Sequence, residues 1–266
     1  MSGLEKALVE LNRVEDSARD VTFLHDVDVR AKILVALFYI VAVLSLSLRS
    51  LTGILVFAVI PMILATMGGI DYGRVFMRSL IVLPFVVFIG IFNPIFNHTT
   101  AFMVGNVAVS QGWVEFVSIV LRGILAVQMV LLLIMSSGFY QVCRGLALMK
   151  VPGVFITQLI LLYRYIFVLI GEAITMDRAR KSRSYGRDKY PLRMWGAFVG
   201  QLLLRSIKRA ERIHQAMLSR GFNGRIESLR RLHWRMRDTA FAVVGCGAVI
   251  VLRVVNFDQL FSKFFA

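Results

Sequence analysis

Apolar positions along much of this chain gather into long runs separated by short polar punctuation. Four runs come early: residues 31–48 (from AKILVALFYI), 51–67 (from LTGILVFAVI), 78–96 (RSLIVLPFVVFIGIF) and 114–136 (around LAVQMVLLLIM). A fifth lies near the end, at 239–256 (TAFAVVGCGAVIVLRVV). A bilayer core takes about 20 apolar residues per helix and tolerates about 17, so each run predicts a crossing. The expected fold is an all-α integral membrane protein with about five transmembrane helices. A sixth run, 154–175 (VFITQLILLYRYIFVLIGEAIT), carries Arg164 at its centre and Glu172 near its end.

Charge decides how that sixth run is read. With the chain starting inside, four crossings return it to the cytoplasm near residue 137, and the 97–113 connection, which has no Lys or Arg, falls outside. The 68–78 connection carries Arg74 and Arg78 and falls inside. A crossing by 154–175 would export the basic residues from Arg178 to Arg237, against the positive-inside bias. An interfacial helix is therefore predicted, with Arg164 reaching the headgroups and its Leu, Ile and Phe side buried. Arg122 lies within the fourth run. A charge at that depth is costly, so a contact to a neighbouring helix is favoured over a role in a transport path.

Composition agrees with the pattern. Of 266 residues, 58% are hydrophobic and 20 are Phe, which excludes an ordinary soluble domain. The net charge of +15 would point to nucleic acid were it spread over the chain. It is not: residues 137–237 hold twenty Lys or Arg against five acids, which accounts for the whole excess. Residues 1–30 are polar and carry Glu5, Glu10, Asp16 and Asp28, so a cleavable signal peptide is not expected. Four regions follow: a cytoplasmic segment at 1–30, crossings one to four at 31–136, a basic cytoplasmic region at 137–237, and the last crossing with the C-terminus at 238–266.

Within the basic region, Pro152-Gly153 separates a short amphipathic piece (137–150) from the interfacial helix, which can run on until Ser184-Tyr185-Gly186 stops it. A second helix is predicted from Pro191, a residue suited to a first helical position, to Arg220, where Gly221 ends it. Leu202, Ile207, Ala210, Ile213 and Met217 trace its apolar side; Arg205, Lys208, Arg209 and Arg212 trace a basic one. Gly196 and Gly200, four apart, would let another helix cross closely. The two helices end on nearly the same phrase, ARKSRSY at 179–185 and AMLSRGF at 216–222. Each end would project an arginine, a side chain that favours bidentate carboxylate partners, beside residues small enough to let another surface approach. Anionic headgroups would also attract such ends, but the repetition favours a protein partner.

At these residues the chain resembles the transmembrane T component of energy-coupling factor (ECF) transporters, in the cobalt-type CbiQ branch. HDVDVRAKIL at 25–34, LLYRYIFVLIGE at 161–172, RARKSRS at 178–184 and AERIHQAMLSRGF at 210–222 carry the resemblance. It implies two long crossed coupling arms whose arginine tips dock into two cytoplasmic ABC ATPase subunits. It also implies a membrane S component that captures the substrate, and a bacterial or archaeal cell membrane with the N-terminus cytoplasmic. By position the docking arginines are Arg183 and Arg220, flanked by Ser182 and Ser184 at one tip and by Ser219 and Gly221 at the other. Both arginines follow Ser where the family has Ala, and the first precedes Ser where the family has Gly. Cobalt is the leading substrate, followed by nickel and then a vitamin.

The sequence offers little chemistry of its own. It contains no GxxxxGK[ST] phosphate loop, so ATP and Mg are expected in partner subunits, with no cofactor in this chain. His25, His98, His214 and His233 have no paired ligand spacing, and Cys143 and Cys246 read as small buried residues. Two other classes remain: a membrane enzyme gripping an anionic lipid, and a membrane-tethered nucleic-acid binder. The first wants a carboxylate cluster that five scattered acids do not supply. The second wants a stacking platform that Tyr185, Tyr190, Trp195 and Trp234 do not form.

Overall fold

A computed structural model describes residues 23–47, 51–96, 100–104, 107–183, 192–224, 226 and 234–254. They divide between two compact units. The bundle unit comprises the described residues of Ser17–Gly145 and Leu232–Ala266; the arm unit comprises those of Leu146–Arg231.

The bundle begins with a 3-10 turn, Phe23–Asp26, and helix α1, Val29–Leu44. Asp28 caps α1, its carboxylate accepting from the Arg30 amide at 2.9 Å. The second apolar run is two helices, α2 (Leu51–Phe57) and α3 (Val59–Met67). Pro61 explains the interruption: it has no amide hydrogen to give the carbonyl four residues back, that of Phe57. In hydrocarbon such a carbonyl needs another donor. The hydroxyl of Tyr39, fully buried on α1, supplies it at 3.0 Å.

The third run is also broken, into α4 (Tyr72–Ser79), a 3-10 turn (Leu80–Val82), α5 (Leu83–Gly90) and α6 (Phe92–Phe96). The tightened turn directly precedes Pro84 at the start of α5. The outside connection expected at 97–113 contains an antiparallel hairpin, β1 (Thr100–Val104) with β2 (Val107–Ser110), the one departure from all-α structure among the described residues. Its short β-rich phrases, TAFMV and VAVS, are the local signal.

Helix α7, Gln111–Ser137, is the axis of the bundle. Gly123 lets it approach α5 so closely that a Cβ there would sit 2.9 Å from Val86 Cγ2. Gly138, at φ 74°, turns the chain out of α7 into α8, Phe139–Leu148, the amphipathic piece expected at 137–150. Helix α11, Met236–Val254, completes the bundle, and Gly245 brings it as close to Val35 of α1. The core where α1, α2, α7 and α11 meet holds Val35, Tyr39, Val43, Phe57, Met129 and Val249.

The five runs expected to cross contain α1, α2–α3, α4–α6, α7 and α11. Tyr72–Pro94 and Gln111–Ser137 are long and apolar enough to cross a membrane by length and composition, as is Gly153–Arg183, the run expected to lie in the interface. The arm unit consists of that helix, α9 (Gly153–Arg183), and α10 (Leu192–Leu218). Both match the predicted helices to within a few residues at each end.

Candidate functional site

The arm unit is built around one carboxylate. Glu172 of α9 accepts from Arg209 at 2.7 Å and from Arg205 at 3.2 Å, two residues on one face of α10, one turn apart. Toward the start of α9 the two helices border an apolar groove of about 640 Å³, lined by Leu159, Leu162, Tyr165, Ile207, Ile213 and Met217 among others. Of the predicted apolar side of α10, Ile207, Ala210, Ile213 and Met217 line it and Leu202 does not. At its far end Thr157 donates to the carbonyl of Gly224 at 3.2 Å, tying the segment after α10 to the first turns of α9.

The repeated phrase repeats in three dimensions. Ser182 donates to the carbonyl of Arg178 at 3.1 Å, and Ser219 to that of Gln215 at 3.0 Å, each four residues back in its own helix. Each serine is thereby folded down, leaving the following arginine, Arg183 or Arg220, exposed at the helix end. The second tip has a full glycine cap. The amide of Phe222 bonds the carbonyl of Met217, that of Gly221 bonds Leu218, and Gly221 lies at φ 79°. Arg220 is therefore the last residue before the reversal. At the first tip Asp177, itself buried, pairs with Lys181 at 3.0 Å and Arg180 at 3.8 Å, an arrangement that leaves Arg183 outermost. Ser184 lies outside the described residues.

Because Gly224 lies against Thr157, the Arg220 tip sits near the start of α9, whereas Arg183 ends it. The 26 residues from Thr157 to Arg183 rise about 39 Å. The tips are at opposite ends of one rod.

Other expected residues fall as follows. Arg122 donates to the carbonyl of Ser47 at 2.6 Å, in the segment beyond the end of α1 and not in a neighbouring helix. Arg164 is exposed, its guanidinium 5.8 Å from the ring of its neighbour Tyr165. At Gly196 and Gly200 no described atom lies within 4 Å of an added Cβ, so no helix of this chain crosses there among the described residues. Cys143 is buried and Cys246 half-buried. His98 and His233 lie outside the described residues, and among those described no group of three His, Cys, Asp or Glu could hold a metal ion. Sequence reasoning missed the Glu172 pairing with Arg205 and Arg209, although their spacing of four was a usable signal.

Apolar helices long enough to cross a bilayer define a helical membrane protein. The family model described as "CbiQ: Cobalt transport protein" matches residues 20–231, and the chain belongs to that family of membrane transport proteins. It is 27% identical over 248 residues to an uncharacterised protein of Methanocaldococcus jannaschii, covering 89% of this chain and 83% of that one. A shorter match, 30% identical over 103 residues and 38% of each chain, is to the nickel permease LarQ of Lactiplantibacillus plantarum. Another, 39% identical over 77 residues, covers 29% of this chain and 13% of a protein of Methanocorpusculum labreanum provisionally named fused cobalt transport protein CbiMQ.

Proposed function

We propose that this chain is the coupling subunit of an ECF-type importer: a non-catalytic T component lying in the cell membrane with its N-terminus and arms on the cytoplasmic side. Arg183 and Arg220 dock into carboxylate-lined sockets on two ABC ATPase subunits, which bind the ATP and Mg. Closure of the ATPase pair changes the separation of the sockets, and the arms carry that displacement toward the membrane. The apolar groove between α9 and α10 offers a surface to the membrane S component, which captures the substrate. Cobalt is the first candidate, supported by the family; the nickel permease among the relatives makes nickel the second, and a vitamin is the third.

The observation that carries this reading is the pair of exposed arginines, each preceded by a serine bonded four residues back, one ending α9 and the other near its start, where Thr157 lies about 39 Å from Arg183. A headgroup-binding helix end needs no such match. Replacing both (Arg183→Glu with Arg220→Glu) tests it. Leaving one partner of a buried charge pair alone costs about 2–5 kcal/mol, so capture of the ATPases should fall at least thirtyfold or so while the membrane level is unchanged. Capture at the wild-type yield, with normal uptake, refutes the reading. Protease cleavage after Arg187 from outside intact cells would refute its sidedness.

A further inference from the structure

The bundle buries a charged cluster that the docking scheme does not use. Asp28, Lys32 and Asp238 are each no more than 6% exposed. Lys32 Nζ donates to Ser137 Oγ at 3.0 Å and to the carbonyl of Ser136 at 3.3 Å, closing the last turn of α7. The amide of Asp28 donates to Asp238 Oδ1 at 2.7 Å, while Asp238 Oδ2 accepts from the amide of Arg235 at 2.7 Å, closing the first turn of α11. Asp28 and Asp238 both lie within electrostatic reach of Lys32. Two carboxylates thus balance the Lys32 ammonium and the Arg30 guanidinium, whose Nε lies 3.9 Å from Asp28 Oδ1.

The location of the cluster along the chain gives it meaning. Ser137 is the final residue of α7, and α8 then carries the chain to the boundary of the arm unit at Leu146. Asp238 lies in the first turn of α11, where the chain comes back. The first turn of α1 and its cap therefore grip the end of α7 that precedes α8 and the first turn of α11. The other end of α1 is tied to the same two helices. Arg122 of α7 holds the carbonyl of Ser47, and Arg253 of α11 holds that of Ser45 at 2.8 Å. With both ends fastened, α1 cannot slide along α7 or α11 without breaking a buried polar contact.

We propose that Asp28, Lys32 and Asp238 are positioning residues forming a clamp, through which displacement of the arms reaches α7, α1 and α11 as one block. The clamp rests on the reading of the arms as coupling elements. Breaking a buried pair by removing one partner leaves an uncompensated charge. Loss of Lys32 therefore loosens the Asp28–Asp238 contact as well, although Lys32 makes no hydrogen bond to α11 in this structure.

Hydrogen exchange on the full chain in detergent tests the clamp without any partner. In Lys32→Met, amides at 135–140 and at 236–240 should both exchange about tenfold faster, as expected for loss of a charge-assisted hydrogen bond. A change confined to 135–140 would make Lys32 a simple cap on α7 and overturn the clamp. Should Lys32→Met fail to accumulate, Ser137→Ala, which removes one hydroxyl, decides by the same two windows with a shift of about threefold. In the reconstituted importer, Lys32→Met should co-purify with the ATPases as wild type does, while uptake per ATP hydrolysed falls about tenfold. An unchanged ratio also overturns the clamp. ATPases missing from the wild-type preparation would instead sink the docking reading, and the exchange windows would still judge the clamp.

Discussion

The bundle and the arm unit use polar side chains in opposite ways. In the bundle, Lys32, Asp238 and Arg122 are buried and reach groups outside their own helices, and buried Asp28 caps α1. In the arms, Arg183 and Arg220 stand exposed at helix ends, and the Glu172 carboxylate is shared by arginines that are themselves one-third or more exposed. Apolar side chains follow the same division. Tyr39, Phe57 and Val249 are sealed in the bundle core, whereas Leu162, Ile207 and Met217 line an open groove. The bundle ties its polar groups inward; the arms leave theirs at the surface.

The largest effect expected from breaking this contrast is in the bundle. Tyr39→Ala removes a fully buried ring and the donor to the Phe57 carbonyl; a loss of about 3–5 kcal/mol is expected, seen as collapse of the thermal transition in detergent. Close helix approaches come next. Gly123→Ala and Gly245→Ala each place a Cβ 2.9 Å from a valine methyl and should cost about 1–3 kcal/mol in the same assay. Gly196→Ala and Gly200→Ala meet open space and should be neutral or stabilising by up to about 1 kcal/mol. Equal losses at all four positions would erase the distinction between the regions.

Glu172→Gln comes lower still, because its partners are part-exposed and screened by solvent. Less than about 1 kcal/mol of stability should be lost, yet the distance between spin labels on α9 and α10 should broaden. An unchanged distribution would mean that the apolar groove, not the ion pair, sets the angle of the arms. The smallest effect concerns Cys143. Burial pushes its thiol pKa up, so at neutral pH, below that raised value, it stays protonated. Maleimide should leave it unmodified until the protein is unfolded, as mass spectrometry of the intact chain would record.

Much of this architecture is legible in the sequence, for a physical reason: the hydropathy of a run is local, and a bilayer reads it locally. Residues 31–48 and 114–136 therefore locate α1 and α7 directly. The repeat ending in Arg183 and Arg220 is also local, and with it the two helix ends. What pattern alone misses are contacts between runs. Nothing within HDVDVRAKIL says that Asp28 meets Asp238 or that Lys32 meets Ser137, more than a hundred residues away. Pro61 announces a broken helix, but that Tyr39 repairs it is visible only in three dimensions. The hairpin at 100–110 was hidden because its apolar phrases, TAFMV and VAVS, are too short to outweigh the reading of a connection between crossings as a loop.

The glycine at the end of α10 has a consequence for the adjoining side chain. With Gly221 at φ 79°, the backbone reverses immediately after residue 220, and the direction in which that guanidinium leaves the protein is set by the cap. Putting a methyl group at 221 penalises the left-handed conformation and should swing the prong aside while keeping its charge intact. Aim and charge are thus separable at this position: Gly221→Ala would misdirect a cation that Arg220→Glu would abolish, so a partner's demand for geometry can be told apart from its demand for electrostatic attraction.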